Sequence, residues 1–217
     1  MKDLTTYIQE ALKITKDSKI DDKKNSVYMI VEDPDEKKKF LTTNIDEIKR
    51  LKNHIFGVAV ITDKCEFAIS STMTRGVSKF GLESRPNYNN INATKVDSFV
   101  KAMKDFNGEK NCEGWMKATD EKMSVINKVN KFSKGKEWLP SVGELVAIYT
   151  NLEEINRLLN LMPYAYQITT GEFWASTLYT NSDKFWTVNI ISGMVTTNSK
   201  LSTCNYIGIC HIEDLMK

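Results

Sequence analysis

The clearest periodic pattern along the chain lies between residues 138 and 190. Apolar residues recur at three- and four-residue spacing from Leu145 to Leu159, which predicts one or two short helices with a continuous apolar face. Pro140 ends the preceding extended segment, and Ser141 with Glu144 has the spacing of a capping box. We therefore expect the helix to begin after Ser141 and to pack on a sheet.

Two runs of aromatic and β-branched residues follow and predict a β-hairpin. They occupy residues 173–177 and 185–191, and the polar residues 180–183 between them have turn chemistry. Alternation over residues 194–198 and the run 206–212 predict two further strands. We expect the last strand to return beside the first strand of this sheet.

The first half of the chain predicts a smaller α/β unit. Residues 27–31 form an expected strand, and residues 44–52 form an expected short helix capped by its first residue. The apolar run 55–61 and the run 66–70 predict a buried hairpin. Residues 71–92 are rich in Gly and Asn and are expected to form a loop.

Two more helices are expected at residues 94–106 and 119–132, each with apolar residues on one face. Residues 1–16 predict an amphipathic helix, and the polar residues that follow it predict a linker. So short a helix is marginal alone and must dock on something, so we interpret it as an anchor. Its candidate anchoring residues are Leu4, Tyr7, Ile8 and Leu12.

The C-terminal motifs resemble those of a known group of domains. In order, they are W-L-P-S-x-G-E-L at 138–145, I-N-x-L-L at 155–159, F-W-A-S-T-x-Y at 173–179, F-W-x-V-N at 185–189, and a Ser-Gly turn at 192–193. This series resembles the C-type-lectin-fold domains of phage and gut-bacterial proteins. That group includes the variable, ligand-binding proteins of diversity-generating retroelements, with formylglycine-generating enzymes as distant relatives.

The resemblance implies an α+β fold. We expect a C-type-lectin-like mixed fold with a twisted antiparallel sheet and two or more flanking helices, preceded by an N-terminal helix and a small α/β region. The expected domains are an anchor or assembly segment at 1–26, the small α/β region at 27–92 and the C-type-lectin-like domain at 93–217. The N-terminus also resembles the leaders of tailed-phage (crAss-like) head proteins, although we prefer an anchoring role.

Composition and charge exclude several classes of function. The chain of 217 residues has a formal net charge of only +2, so no global basic field predicts nucleic-acid binding. No apolar run approaches the length of a membrane span. The four cysteines form no C-x-x-C pair, which argues against a disulfide scaffold or a structural zinc site.

Catalytic patterns are weak, and we predict no enzyme, no cofactor and no metal. The chain has only two histidines, and neighbouring strand residues such as Cys210 and His211 would point to opposite faces. Cys204 and Cys210 fall where the formylglycine-generating relatives carry their cysteine pair, but the spacing does not match their pattern. The calcium-binding loop of the lectin-like family and Gly-rich phosphate loops are also missing from the sequence.

Neutral aromatic and amide groups remain as binding chemistry. In the variable proteins the C-terminal strands and turns build the ligand face, which implies a face at the predicted turns. The candidate residues are Tyr179, Asn181, Asp183, Lys184, Thr197 and Asn198. The alternative interpretation is that the turns are plain connections and that Trp174 and Trp186 are core residues.

The resulting hypothesis is a structural virion protein of a tailed phage, made in the host cytoplasm. It would be a head fibre, head decoration or tail-associated protein that displays its domain to a host-surface protein or glycan. Its expected partners are itself, as a homotrimer, and other virion proteins through the N-terminal region, with no nucleic acid and no membrane span. The alternatives are a bacterial or prophage ligand-binding module outside the virion and a formylglycine-generating-type enzyme.

Overall fold

The computed structural model describes residues 26–81, 88–118, 124–163, 166–169, 171–180 and 183–217. These residues form a mixed α+β structure, as predicted, and their strands form two sheets. The strands are β1 (Ser26–Asp33), β2 (Lys38–Thr42), β3 (Ile55–Ile61), β4 (Glu66–Ser70), β5 (Arg75–Lys79), β6 (Lys95–Val96), β7 (Glu172–Tyr179), β8 (Lys184–Asn189), β9 (Val195–Ser199) and β10 (Thr203–Ile207). The helices are α1 (Ile45–Arg50), α2 (Phe99–Ala102), α3 (Gly108–Ala118), α4 (Val125–Phe132), α5 (Val142–Thr150), α6 (Leu152–Leu159) and α7 (Ile212–Met216).

The first sheet is antiparallel and has the strand order β2-β1-β3-β4. It confirms the strand predicted at 27–31 and the hairpin predicted from 55–61 and 66–70. The cap of α1 is also confirmed, because the Asn44 side chain accepts hydrogen bonds from the first backbone N–H groups of the helix. Strand β2 is an addition that its charged sequence does not predict.

The second sheet has the order β5-β10-β7-β8-β9, with β6 beside β7. The predicted hairpin is confirmed as β7 and β8, and the alternation at 194–198 is confirmed as β9. Strand β10 lies between β5 and β7, antiparallel to β5 and parallel to β7. The last strand therefore returns beside the first strand of the predicted hairpin, as expected. The expectation of an antiparallel sheet is wrong here, because β10 and β6 both pair with β7 in parallel and make this sheet mixed.

Three predicted elements are wrong in part. Residues 71–92, expected as a loop, contain β5, which pairs with β10. The helix expected at 94–106 is replaced by β6, which pairs with β7, and by the short α2. The strand expected at 206–212 begins at Thr203 as β10 and gives way to α7. For the strands β5, β6 and β10, partners distant in sequence supply the hydrogen bonds of the sheet.

The helices of the middle region agree better with the pattern. Helix α4 confirms the second part of the helix predicted at 119–132, and residues 119–123 lie outside the described residues. Helix α3 is additional and carries Trp115. The predicted capping box is confirmed at the start of α5, where Ser141 and Glu144 exchange hydrogen bonds with each other's backbone. Residues 1–25, with the expected anchor Leu4, Tyr7, Ile8 and Leu12, also lie outside the described residues.

Both sheets share one hydrophobic core. At its centre the ring of Phe80 stacks on Phe185 with 3.7 Å between centroids, and Trp115 and Trp174 each meet Phe80 edge-on at 5.4 Å. Trp174 is 0% exposed and Trp186 is 4% exposed, which confirms both as core residues. Within the residues that the structure describes, no helix has the length and apolarity needed to cross a bilayer.

A buried carboxylate joins the helical layer to the second sheet. Asp105, only 3% exposed, accepts hydrogen bonds at Oδ2 from Asn111 Nδ2 at 2.8 Å and from Thr177 Oγ1 at 2.7 Å. Its Oδ1 accepts from Thr94 Oγ1 and from the backbone N–H of Asn107, each at 3.1 Å. These donors compensate the cost of burying a charge.

The backbone carbonyl of Asp105 holds the residues at the start of α5. The carbonyl oxygen of Asp105 accepts from Ser141 Oγ at 2.7 Å and from the backbone N–H of Gly143 at 2.9 Å. A Cβ at Gly143 would stand 2.4 Å from that oxygen, so the contact requires glycine. Thr177 Oγ1 also accepts from the backbone N–H of Val142 at 2.9 Å. We call these residues, with the donors to the carboxylate, the Asp105 network.

An irregularity in β7 makes room for this network. The register of β7 against β8 shifts between Trp174 and Leu178. The backbone N–H of Ser176 then donates to the carbonyl of Pro140, and that of Leu178 donates to the carbonyl of Thr94, each at 2.8 Å. The bulge thus turns hydrogen-bonding groups of the strand toward the segments that flank it.

Thr177→Val should destabilise the protein by about 3 kcal/mol, because it leaves a buried N–H without its acceptor and removes one donor to a buried carboxylate. The free energy of unfolding from urea titration measures this loss. Thr196→Val on β9 makes the same chemical change at a half-exposed position and should cost less than about 0.5 kcal/mol. Similar losses in both variants would contradict the role of the network.

Candidate ligand-binding cleft

An open cleft of about 370 Å³ lies between the β5–β10 pair and residues 166–169. Arg75 and Val77 of β5, Asn205 of β10 and Phe173 of β7 contribute to its lining. Gly76 lets β5 pass close to Tyr206, because a Cβ there would stand 2.7 Å from the Tyr206 hydroxyl oxygen. We call this feature the β5–β10 cleft.

An arginine and a tyrosine meet at the rim of the β5–β10 cleft. The guanidinium carbon of Arg75 lies 3.1 Å from the centroid of the Tyr166 ring, a cation–π contact. The Tyr166 side chain is nevertheless 60% exposed, and Val77 is 63% exposed. Large side chains so exposed beside a cavity are typical of a binding surface.

The wall that carries Tyr166 is held by helix α6. Asn156 donates from Nδ2 to the carbonyl of Ile168 at 2.9 Å and accepts at Oδ1 from the Ile168 N–H at 2.8 Å. Gln167 donates to Asn160 Oδ1 at 2.6 Å. Asn156 is the amide of the I-N-x-L-L motif, so that motif fixes one side of the cleft.

The charge in the lining of the β5–β10 cleft is positive. Among the described residues that line it, Arg75 is the only charged one. No carboxylate of the described part of the chain forms an ion pair with Arg75. An arginine stacked on an aromatic ring keeps the edge of its guanidinium open to a planar anion. The cleft therefore suits a ligand with a carboxylate or another anion beside apolar surface.

The predicted face at the end of the β7–β8 hairpin is only partly assembled. Tyr179 packs edge-on against Trp186 with 5.4 Å between centroids, and Thr197 pairs with Trp186 across the strands. Asp183 forms an ion pair with Lys200 at 2.8 Å. Lys184 is exposed at the start of β8. Most of the expected residues thus gather near one end of the hairpin.

Asn198 lies apart from that group. It follows Thr197 in the same strand and so points to the opposite face of the sheet. Its Nδ2 donates to Thr187 Oγ1 at 2.9 Å and makes a second hydrogen bond to Glu172. Asn181 lies outside the described residues. A ligand role for these six residues stays a prediction.

A second cleft, of about 250 Å³, brings titratable side chains together. His211 Nε2 lies 3.0 Å from Glu109 Oε1, and the ring centroids of His211 and Trp138 are 4.7 Å apart. Glu144 lines the inner end, only 5% exposed. Burial raises the pKa of Glu144 to about 7, against the hydrogen bonds from Ser141 and Trp138, and the nearby charge of Asp105 raises that pKa further.

Burial favours the protonated form of the cysteine thiols. Burial raises the pKa of Cys65 to about 12, of Cys204 to about 11 and of Cys210 to about 12, and it raises the pKa of Cys112 as well. Cys204 belongs to the main core and Cys210 to a separate small cluster under α7. In the described part of the chain, no three His, Cys, Asp or Glu side chains are grouped so as to hold a metal ion.

The sequence pattern did not single out the residues of the β5–β10 cleft. Arg75 and Val77 fall in the segment expected as a loop, and Tyr166 follows α6 in an irregular stretch. One available signal was the alternation of charged, apolar and charged residues at Arg75, Val77 and Lys79, which has the period of a strand. Contact between Arg75 and Tyr166 depends on the tertiary fold alone.

The free energy of unfolding should fall as pH rises from about 4.5 to about 7. Glu144 alone should account for roughly 3 kcal/mol of this fall. The reason is that the unfolded chain ionises this carboxyl near pH 4.5, whereas the folded chain keeps it neutral until about pH 7. Glu144→Gln keeps an acceptor for the capping box and should flatten this slope. Urea titrations between pH 4 and 8 measure it, with the exposed Glu153→Gln as control. An unchanged slope in Glu144→Gln would contradict the assignment.

No protein family, curated protein or solved structure shows a significant match to the chain. The resemblance to C-type-lectin-fold domains therefore stays a prediction, based on the motifs of the chain itself.

Proposed function

We propose that the chain is a structural virion protein of a tailed phage that displays a C-type-lectin-like domain for binding a ligand or the host surface. It would serve as a head fibre, a head decoration or a tail-associated subunit. In this proposal a homotrimer is attached to other virion proteins through the N-terminal region. The β5–β10 cleft would be the ligand-binding surface, with one wall from β5, which precedes residues 93–217 but belongs to the same sheet as their strands.

The structural roles of the motif residues support the lectin-like assignment. In W-L-P-S-x-G-E-L, Pro140 accepts from β7, Ser141 caps α5, Gly143 closes on Asp105, and Glu144 completes the capping box. F-W-A-S-T-x-Y forms β7 with its bulge, and I-N-x-L-L forms the part of α6 that holds the cleft wall. These three motifs, which extend over some forty residues, thus belong to one packed region of the fold.

The closing of the sheet by its last strand also supports this assignment. Strands β6 and β10 lie near the two ends of residues 93–217, and both pair with β7, so the two ends of the expected domain meet in one sheet. Helices α3 and α5 contact β7 of that sheet. The two flanking helices agree with what the resemblance implies, although the sheet is mixed and not antiparallel.

The observation that carries the binding role is the exposed Arg75–Tyr166 pair over an open cleft. Arginine and tyrosine are enriched where proteins bind partners, because they provide large contact area together with polar edges. Asn205 and Gln167 add amides to the same lining. A ligand-binding module outside the virion would use the same surface. The cleft therefore supports a binding function, whereas the assignment to a virion is supported by the resemblance alone.

The enzyme alternative gains no support from the cysteines. A formylglycine-generating-type mechanism would need a reactive pair, and Cys204 and Cys210 belong to separate clusters. Burial also keeps the pKa of each thiol well above neutral pH.

Fluorescently labelled protein should bind saturably to some strains in a panel of gut bacteria, as measured by flow cytometry. Arg75→Ala should weaken this binding at least tenfold, because it removes both the cation and the stacking partner of Tyr166. Lys184→Ala is the control, because it removes an exposed cation at the end of the β7–β8 hairpin, and it should leave binding unchanged. Thermal melting verifies that both variants fold.

A reversed result, with only Lys184→Ala impaired, would move the site to the predicted hairpin face. Absence of saturable binding to every strain would contradict the host-surface role.

A further inference from the structure

Strand β5 is the edge of the second sheet. Among the described strands it pairs only with β10. The backbone N–H of Gly208 donates to the carbonyl of Thr74 at 2.7 Å. This bond identifies Thr74 and Gly208 as a hydrogen-bonded pair of the antiparallel strands. Hydrogen-bonded pairs alternate along such a ladder, so Gly76 and Ser78 bond toward β10. The backbone groups of Arg75, Val77 and Lys79 therefore point away from the sheet.

The side chains of the same three residues form one exposed row. Val77 is 63% exposed, and Arg75 and Lys79 on either side of it are exposed as well. All three point to one face, because they alternate with Gly76 and Ser78. Arg75 and Val77 of this row also line the β5–β10 cleft. We call the three residues the β5 row.

The β5 row carries two positive charges and no negative one. Neither Arg75 nor Lys79 forms an ion pair with a described residue. Cations on an edge strand oppose pairing between two copies of that strand, since like charges would face each other. The same cations favour an added strand of opposite charge. The charge pattern therefore discriminates against a second copy of this chain.

We propose that β5 accepts an extended acidic segment of a partner protein as an added strand of the second sheet. Backbone hydrogen bonds to Arg75, Val77 and Lys79 would supply affinity, and the side chains would supply specificity. The inference rests on the proposed function, because it assumes that the face of the β5–β10 cleft binds a ligand.

The geometry of the β5 row defines the sequence of the segment. Arg75 and Lys79 are four residues apart, about 13 Å along a strand. Two carboxylates with the same spacing would each meet a cation, and an apolar residue midway between them would cover Val77 and contact the ring of Tyr166. The recognised pattern is acid-x-apolar-x-acid. Each x side chain would point to the other face.

A defined peptide tests this proposal. The blocked heptapeptide TETVTET carries the pattern, and TKTVTKT is its charge-reversed control. Titration of TETVTET into the ¹⁵N-labelled protein should shift the amide signals of Arg75, Val77 and Lys79 and slow their exchange with solvent. TKTVTKT should bind at least tenfold more weakly.

Variants separate strand addition from simple charge attraction. Val77→Pro removes one outward N–H and leaves the bonds to β10 in place, so it should weaken TETVTET binding at least tenfold. Arg75→Glu with Lys79→Glu should exchange the preference, so that TKTVTKT binds more tightly than TETVTET. Lys52→Glu, a charge reversal at an exposed position that belongs neither to the cleft nor to the predicted hairpin face, should change neither affinity. The charge-swapped variant keeps the test valid if Val77→Pro does not fold.

Three results would overturn strand addition. They are no binding of TETVTET at millimolar concentration, equal affinity for both peptides, and unchanged affinity in a folded Val77→Pro variant. Displacement of the amide signals by a sulfated disaccharide but not by TETVTET would point to a glycan instead. If bacterial cells still bind through Arg75 while TETVTET does not, the proposed function stands and this inference alone fails.

Discussion

The buried carboxylate of Asp105 is the interaction on which the second half of the molecule depends. It accepts hydrogen bonds from Thr94 just before β6, from α3 and from β7, while the backbone carbonyl of Asp105 holds the start of α5. A charge so deeply buried is tolerated only when donors surround it, so these segments must come together at one point. Because each donor comes from a different element, the Asp105 network fixes their relative positions better than apolar contacts alone could.

The β5–β10 cleft inherits its shape from this arrangement. The network places α5 on the sheet, α6 follows α5 directly, and Asn156 of α6 holds the wall that carries Tyr166. The opposite wall, β5, is attached through β10 and through the indole N–H of Trp174, which donates to the Ser78 carbonyl at 2.8 Å. One wall of the cleft thus depends on helices, whereas the other is a strand whose outer edge pairs with no described strand. This combination suits a surface that adds a ligand strand without rearranging its core.

Local chemistry made part of this structure predictable. The capping box at Ser141, the cap at Asn44 and the β7–β8 hairpin depend on residues close in sequence, and each is confirmed. Strand β5 has a single apolar residue, Val77, and forms because β10 supplies its partners from the other end of the chain. Helix α3 buries polar and small positions such as Asn111, which a search for apolar periodicity overlooks. Arg75 and Tyr166 meet only through the fold, so the sequence analysis, which expected neutral aromatic and amide groups at the hairpin turns, did not predict this cleft.

Native-state amide hydrogen exchange, followed by NMR, distinguishes the Asp105 network from the outer edge of β5. The amide of Val142, which donates to Thr177 in the Asp105 network, should exchange only when the whole molecule unfolds. The amide of Val77, on the outer edge of β5, should exchange through local fluctuations and be among the fastest in the second sheet. Exchange of Val142 as rapid as that of Val77, or full protection of Val77 in the isolated protein, would contradict these roles.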